Sequence, residues 1–387
     1  MARLGDVCKF QSGGTPSKGE ASYFNGNIPW ITTVALNGSI IDESYAVDWI
    51  TERAIENSAA KVVPANSVMV GTRVGVGKVA INKVPMSTSQ DIISLLDIDE
   101  SKWSKEFICK FILGKGAYLN SQARGATIKG IKIETLAGLQ LPVIPLEQQC
   151  KIATVIDAVD NLISLRKQQL AKLDELVKAR FVELFGSLND NEKGLDIVSI
   201  EELCTLIKDG THQTPTYTED KQNGFKFLSS KDVMTQKICW DDIKYIPAEL
   251  HEKLYATIQP QRNDILMSKN GVNYGVAAVN DTDEIFDIYV SLALLRPRTD
   301  MVNPVYLRCV INNPDTKRQF DSSIKGIGVP NLHLGEIKKT KVLLPPIEKQ
   351  NEFVAFVEQT DKSKLTIQQS LDKLETLKKS LMQKYFG

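Results

Sequence analysis

The feature that most constrains this chain is an internal duplication with a period of about 200 residues. Residues 141–149 (LPVIPLEQQ) recur as residues 342–350 (VLLPPIEKQ), an offset of 201. Residues 145–186 and 346–387 align without a gap, and 12 of these 42 positions are identical. A period this long indicates two copies of a whole domain rather than a solenoid of short repeats.

The segment that ends each copy predicts a long helix, because a proline stands at its start and a glycine at its end. Apolar residues recur at alternating steps of four and three, which is typical of a coiled-coil seam. We therefore predict helices over 146–186 and 346–387, each about 60 Å long at ~1.5 Å per residue. The predicted helix and partner interface comprises Ile152, Ile156, Val159, Ile163, Leu170, Leu173, Phe353, Val357, Ile367, Leu371, Leu374 and Leu381.

Polar residues such as Arg180, Lys364 and Lys378 interrupt the two seams. Polar seam positions set the register and the choice of partner at a cost in stability. We expect the two helices to pair with each other, the alternative being that each helix folds back on its own copy.

The remaining segments, 1–145 and 187–345, are rich in Gly, Pro, Asn and Thr and contain short β-type runs. This pattern predicts two compact mixed domains with many polar loops. The predicted fold class is therefore α+β, with two mixed domains and two long helices.

Composition narrows the possible functions. The 47 basic and 47 acidic residues cancel, which excludes a generally polycationic nucleic-acid-binding surface but allows a local basic groove. Six scattered cysteines without a C-x-x-C pair indicate neither a disulfide framework nor a zinc site, and only three histidines are present. No apolar run is long enough to cross a bilayer and no signal-peptide core is visible, so we expect a cytoplasmic protein with no membrane contact and no bound metal.

Catalytic motifs are weak. Residues 71–78 contain Gly-x-x-x-Gly-x-Gly-Lys, but the spacing does not match a phosphate-binding loop, and a tight turn between strands fits better. Asp315, Glu336 and Lys338 formally match the loose pattern of magnesium-dependent nucleases. We keep this nuclease hypothesis, and a scaffold that reads no DNA, as alternatives to a non-enzymatic function.

Both domains carry polar loops whose side chains suit hydrogen bonding to bases and phosphates. The alignment of the two copies extends backwards to Arg124 and Lys325, so these loops also correspond. The turn around Arg73 and the turn around Lys269 are the strongest candidates. The candidate DNA-binding residues are Thr15, Lys18, Trp30, Thr32, Thr33, Thr72, Arg73, Lys78, Arg124, Lys129, Thr211, His212, Tyr217, Lys231, Ser268, Lys269, Asn270, Tyr274, Lys325 and Asn331.

Gly13-Gly14-Thr15-Pro16 with Trp30 resembles the opening of target-recognition domains in specificity subunits of type I restriction-modification systems. Asp209-Gly210-Thr211-His212 resembles a second variety of that domain, and the L-P-x-x-P-x-E-x-Q entry into a long helix also belongs to this family. The resemblance covers essentially the whole chain.

The resemblance implies two target-recognition domains in an inverted pseudo-twofold arrangement, separated by two antiparallel spacer helices. It implies that each domain reads one half of a split DNA site while the helices set the gap and bind two methyltransferase subunits, which restriction subunits join. It further implies no catalytic centre and no cofactor in this chain, with S-adenosylmethionine, ATP and magnesium used by the partner subunits.

Overall fold

A computed structural model describes residues 1–125, 127, 129–324 and 330–387. The described residues form two compact units, one made of 1–168 with 368–387 and the other of 169–367. Each unit therefore combines one predicted domain with parts of both long helices. No helix among the described residues combines the length and the apolar composition that a bilayer crossing needs.

The first unit contains, in its described part, a five-stranded sheet (β2-β10-β7-β8-β4), a four-stranded sheet (β5-β3-β9-β6) and the pair β1-β11. The strands are β1 (Ala2–Arg3), β2 (Lys9–Ser12), β3 (Phe24–Ile31), β4 (Ile40–Ile41), β5 (Asp48–Ile50), β6 (Val62–Val63), β7 (Val68–Gly71), β8 (Val79–Asn82), β9 (Met86–Thr88), β10 (Ile92–Leu96) and β11 (Gln140–Leu141). The helices are α1 (Leu4–Val7), α2 (Glu52–Asn57), α3 (Lys105–Gly114), α4 (Gly116–Gln122), α5 (Ile133–Ala137) and the start of α6 (Leu146–Phe185).

The second unit contains, where it is described, the sheets β13-β19-β16-β17 and β15-β14-β18 and the pair β12-β20. The strands are β12 (Asp196–Ser199), β13 (Cys204–Asp209), β14 (Phe225–Leu228), β15 (Lys244–Ile246), β16 (Ile265–Ser268), β17 (Ala277–Val279), β18 (Phe286–Ile288), β19 (Leu292–Pro297) and β20 (Lys341–Leu344). The helices are α7 (Ala248–Tyr255), α8 (Pro304–Ile311), α9 (Pro314–Ser323), α10 (Leu334–Lys339) and α11 (Ile347–Phe386), which also enters the first unit.

The two units share one strand topology. The order β2-β10-β7-β8 in the first unit corresponds to β13-β19-β16-β17 in the second, and the parallel pair β3–β9 corresponds to β14–β18. The duplication therefore extends through the domains, including the segments where the sequence similarity is faint. The α+β fold class with two sheet-rich domains and long helices is confirmed, while the domain boundaries drawn from the sequence remain a prediction.

Within each unit the two long helices pair in antiparallel fashion. In the first unit Lys378 Nζ lies 2.6 Å from Asp160, and Lys167 Nζ lies 3.0 Å from Glu375. In the second unit Arg180 pairs with Glu352 at 3.1 Å. Polar seam residues thus form ion pairs between the helices, which explains why the apolar repeat is interrupted there.

The predicted interface residues alternate with exposed positions along both helices. Six of them are buried, namely Ile152, Ile156, Val159, Phe353, Val357 and Leu371. The others are half-buried, namely Ile163, Leu170, Leu173, Ile367, Leu374 and Leu381. Burial thus follows the three-and-four spacing read from the sequence.

A buried glutamine explains the repeated Glu-x-Gln at the start of α6. Gln149 is 1% exposed, and its Oε1 accepts a hydrogen bond of 3.0 Å from the backbone N–H of Ser104. Its Nε2 donates to the carbonyl oxygens of Lys102 and Ile144, both at 2.9 Å. The helix is thereby tied to the loop that leads into α3.

Gln350 repeats this arrangement at the start of α11. Its Oε1 accepts from the N–H of Asn303 at 2.8 Å, and its Nε2 donates to the carbonyl oxygens of Met301 and Pro345. The glutamine is fully buried. The same three hydrogen bonds therefore fix both helices to the domains that precede them.

The repeated Phe-Gly ending anchors the other end of each helix. Phe386 at the end of α11 is buried in the first unit, with ring centroids 5.3 Å from Phe107 and 5.9 Å from Phe111. Phe185 at the end of α6 is buried in the second unit against Tyr306 and Phe353. Each long helix thus begins in the core of one unit and ends in the core of the other.

We predict that Gln149→Glu destabilises the protein, because a carboxylate oxygen would replace the NH₂ that donates to the carbonyl groups of Lys102 and Ile144. The free energy of unfolding, measured by urea titration, should fall by about 2–3 kcal/mol. The exposed neighbour Gln148 is a matched control. Gln148→Glu should change the free energy of unfolding by less than about 0.5 kcal/mol. Equal effects of the two substitutions would contradict this role of Gln149.

Phe386→Ala should lower the free energy of unfolding of the first unit by about 3 kcal/mol, because it leaves a cavity beside Phe107 and Phe111. Thermal unfolding measures the change. Leu377→Ala on the same helix, where the side chain is 46% exposed, should have little effect. A stable Phe386→Ala protein would show that the first unit does not depend on the end of α11.

Candidate nucleic-acid interface

The turn between β7 and β8 presents several candidate residues and is held by backbone hydrogen bonds. Gly71 N–H donates to the carbonyl of Lys78, and Gly77 N–H donates to the carbonyl of Gly71. Gly75 and Gly77 have φ angles of +76° and +79°, a region that glycine enters without strain. Residues 71–78 therefore form the expected tight turn between strands rather than a phosphate-binding loop.

Thr72 connects this turn to two other segments of the first unit. Its N–H donates to the carbonyl of Asp91 at 2.8 Å, and its own carbonyl accepts from the N–H of Ile131, also at 2.8 Å. The loop that carries Arg124 is thereby held beside Arg73.

The turn between β16 and β17 has the same backbone pattern. Ser268 N–H donates to Val276, and Gly275 N–H donates back to Ser268. Lys269 N–H donates to the carbonyl of Ser291, and the carbonyl of Lys269 accepts from Leu332 N–H. Lys269 thus occupies the position of Thr72.

By the same correspondence, Asn270 occupies the position of Arg73. The two units present one backbone arrangement with different side chains.

The glycines of the two opening motifs are required by close packing. A Cβ atom on Gly13 would lie 2.3 Å from the carbonyl oxygen of Ser89, and one on Gly210 would lie 2.0 Å from that of Ile288. Trp30 is buried and donates from Nε1 to the carbonyl of Gly14 at 3.0 Å. These motif residues hold the loops in place and leave Thr15 exposed.

The structure places the candidate residues in three groups. The exposed residues are Thr15, Lys18, Arg73, Lys78, Arg124, Lys129, His212, Tyr217, Lys231 and Asn331. The half-buried residues are Thr32, Thr211 and Asn270. Lys325 lies outside the described residues.

The remaining candidates are buried, and here the residue choice needs correction. They are Trp30, Thr33, Thr72, Ser268, Lys269 and Tyr274. Ser268 Oγ donates to the carbonyl of Asn273 at 2.8 Å, and the Tyr274 hydroxyl donates to Asp321. These side chains are engaged inside the domains, so their burial argues against direct contact with DNA.

Lys269 is buried because it forms an ion pair with Asp209. Its Nζ lies 2.6 Å from Asp209 Oδ2, and His212 Nε2 lies 3.2 Å from the same oxygen. Burial alone would raise the pKa of Asp209, but the hydrogen bond and charge of Lys269 lower it below its usual value. The aspartate of the Asp209-Gly210-Thr211-His212 motif thus neutralises Lys269.

Arg73 and Arg124, although 51 positions apart in sequence, line one cavity of about 540 Å³. Its lining, which we call the basic cavity, consists of Arg73, Gln122, Arg124, Gly130, Ile131, Lys132 and Thr135. Sequence reasoning did not single out Gln122 and Thr135, which lie in α4 and α5 and belong to no motif.

A second cavity of about 310 Å³ lies beneath the motif loop of the second unit, lined among others by Asp209, His212 and Asp287. Asp287 Oδ2 lies 2.7 Å from Nδ1 of the buried His251, whose ring stacks on Phe225. Burial raises the pKa of Asp287, and the histidine opposes this effect only in part. No periodicity or motif in the sequence predicts this pair.

The nuclease triad is not assembled for metal binding. Asp315 accepts a hydrogen bond from the Leu188 N–H at 2.9 Å and pairs with Arg318, while Lys338 pairs with Glu201 at 3.1 Å. Glu336 lies in α10. Across the described ranges, no group of three or more His, Cys, Asp or Glu side chains could hold a metal ion.

Comparison with known proteins identifies the family. A profile described as "Type I restriction modification DNA specificity domain" matches residues 1–175 and 192–378, which is most of the chain. This chain belongs to that family. The predicted family and the predicted non-catalytic role are confirmed, and DNA sequence recognition together with the other subunits of a type I system follows from them.

Individual relatives of this specificity subunit agree with the assignment. The MjaIX specificity subunit of Methanocaldococcus jannaschii is 24% identical over 99% of this chain and 91% of its own length. The S subunit from M. genitalium superposes with a TM-score of 0.61 at 15% identity, covering 100% of this chain and 95% of that one. A chain from a structural study of type I R-M complex assembly also gives 0.61, at 18% identity over 100% of this chain and 96% of that one.

We predict that Lys269→Met lowers the free energy of unfolding by about 2 kcal/mol, because it leaves the largely buried Asp209 without its charged partner. The double substitution Asp209→Asn with Lys269→Met should recover part of this loss. The measurement is a double-mutant cycle by urea unfolding at pH 7.

The pH dependence follows from the lowered pKa of Asp209. Because the folded-state pKa lies below the unfolded value of about 3.9, the stabilisation is present above that value and is lost as the pH falls through the folded-state pKa. The difference between the parent protein and Lys269→Met should therefore shrink in acid. A difference that stays constant down to pH 2 would contradict this role of the pair.

Proposed function

We propose that this specificity subunit reads a bipartite, asymmetric DNA site, one half-site with each recognition domain. The supporting observation is that the turns after β7 and β16 share one set of backbone hydrogen bonds, so that the loops they hold have like backbones and unlike side chains. Side-chain hydrogen bonds to base edges are the main source of sequence discrimination. Unlike side chains on like backbones would read unlike sequences.

We further propose that the paired helices set the gap between the half-sites and bind two methyltransferase subunits, to which restriction subunits attach. The exposed apolar residues Leu162, Leu165 and Val182 on α6 and Leu365 on α11 support a partner-binding role for the helices. S-adenosylmethionine, ATP and magnesium would then be bound by the partner subunits. A cytoplasmic location remains a prediction.

The alternatives have less support. A nuclease would need Asp315 and Lys338 free to converge, whereas both are engaged with other side chains. A scaffold that reads no DNA would not need two sets of exposed polar loops on matched turns. Incubating the purified protein with plasmid and magnesium tests for nuclease activity. A footprint on DNA would exclude the scaffold that reads no DNA.

The decisive experiment maps adenine methylation in a host that carries the methyltransferase partner, with and without this chain. We expect a two-part motif that appears only when the chain is present. Asn331→Ala, which removes an exposed amide in the second unit, should relax one position in one half of the motif. Thr15→Val should alter the other half, and each change should cost about 1–3 kcal/mol of discrimination at that position.

Asn189→Ala is the matched control, since Asn189 is exposed in the linker after α6. It should leave the motif unchanged. If the partner is shown to be bound and active but no motif depends on the chain, the proposal is wrong. If both recognition-loop variants change the same half, the assignment of one half-site to each domain is wrong.

A further inference from the structure

The basic cavity of the first unit gathers three cations and no carboxylate. Arg73, Arg124 and Lys132 line it together with the neutral Gln122 and Thr135. All three cationic residues are exposed. Like charges that share a cavity repel one another, so this arrangement favours occupation by an anion.

These cations are poorly neutralised within the protein. Arg73 lies 4.0 Å from Asp91, at the limit of an ion pair, and its side chain is 55% exposed. In the part of the chain that the structure describes, neither Arg124 nor Lys132 forms an ion pair. Lys269 of the second unit, by contrast, is paired at 2.6 Å.

The cavity is built by the backbone as well as by charge. Arg124 and Gly130 exchange two backbone hydrogen bonds of 2.9 and 3.0 Å, and Ile131 N–H donates to Thr72. Arg73 lies against Gly130, where an added Cβ would be 2.9 Å from Arg73 Cγ and 3.1 Å from the Thr72 carbonyl oxygen. A side chain at position 130 would therefore displace Arg73.

The second unit lacks this charge pattern at the corresponding positions. When the two copies are aligned at the offset of 201, five residues of the cavity lining have different counterparts. These are Ser323 for Gln122, Lys325 for Arg124, Asn331 for Gly130, His333 for Lys132 and Glu336 for Thr135. The matched turns replace Arg73 by Asn270. A lysine, a histidine and an asparagine therefore correspond to the three cations of the first unit, and a glutamate corresponds to Thr135. The glycine that leaves room for Arg73 is absent.

We propose that the basic cavity binds a backbone phosphate of DNA, a sequence-independent contact that the corresponding positions of the second unit do not provide. At these positions the second unit offers mainly uncharged hydrogen-bonding groups such as Asn270 and Asn331. This inference rests on the proposed function. It predicts that removing the cations of the basic cavity lowers the salt dependence of DNA binding, because each phosphate contact releases counterions.

The experiment uses the complex of this chain with its methyltransferase partner and measures its affinity for DNA at several salt concentrations. One duplex contains the motif identified by methylation mapping, and an unrelated duplex of equal length lacks it. Arg124→Gln with Lys132→Gln should weaken binding to both duplexes by the same factor. The slope of log affinity against log salt should become shallower by about one. The methylation motif should not change.

Lys193→Gln with Lys253→Gln is the matched control, since it removes two exposed charges elsewhere and should leave the slope nearly unchanged. Gly130→Ala keeps every charge but displaces Arg73, so it should also weaken binding to both duplexes. Inorganic phosphate is the probe for a free-anion site: if the cavity variants lose phosphate binding but bind both duplexes like the parent complex, the cavity holds free phosphate and the assignment to DNA is overturned.

A reciprocal variant that should gain affinity controls for loss of folding, because a misfolded protein would not bind DNA more tightly. His333→Lys with Glu336→Thr gives the second unit two lysines and no carboxylate at the corresponding positions, so it should strengthen binding to both duplexes and steepen the slope. The inference is overturned if the cavity variants bind like the control, or if they alter the motif, which would make the cavity a base-reading site. A parent complex that does not prefer its motif would instead refute the proposed function.

Discussion

A buried glutamine at the start of each long helix couples the helix to the domain before it. Gln149 and Gln350 each use both ends of the amide, accepting one backbone N–H and donating to two carbonyl groups. Because an unpaired buried amide costs about 1–3 kcal/mol, the helix cannot slide or rotate at its start without losing these bonds. The pairing of the helices and the burial of their far ends depend on this fixed starting point.

The helices also make each unit depend on distant parts of the chain. The first unit takes Phe386 into its core, although the other buried residues of that core precede residue 169. The packing of Phe107 and Phe111 therefore cannot be completed until residue 386 has been made. Contacts of such long sequence separation slow folding, since the entropy of closing the loop is lost before the contacts form.

The fold was more predictable from the sequence than the candidate interface was. Seam spacing, the entry proline and the final glycine are local signals, so the helices followed from them. The burial of Lys269 depends on Asp209, which lies 60 positions away, and the shared cavity of Arg73 and Arg124 depends on a backbone contact with Thr72. Polar residues in turns have no periodicity that separates inward-facing from outward-facing side chains. Candidates chosen by residue type therefore included both buried and exposed residues.

Because the net charge of the chain is zero, its attraction for DNA depends on where its charges lie. A neutral protein has little long-range attraction for DNA, and salt screens charges beyond about 8–10 Å. Attraction must then come from cations close to the phosphates, such as those of the basic cavity. Because Lys269 is already neutralised by Asp209, this lysine would gain little from a DNA phosphate. The matched turn of the second domain would instead act through hydrogen bonds whose geometry depends on the base sequence.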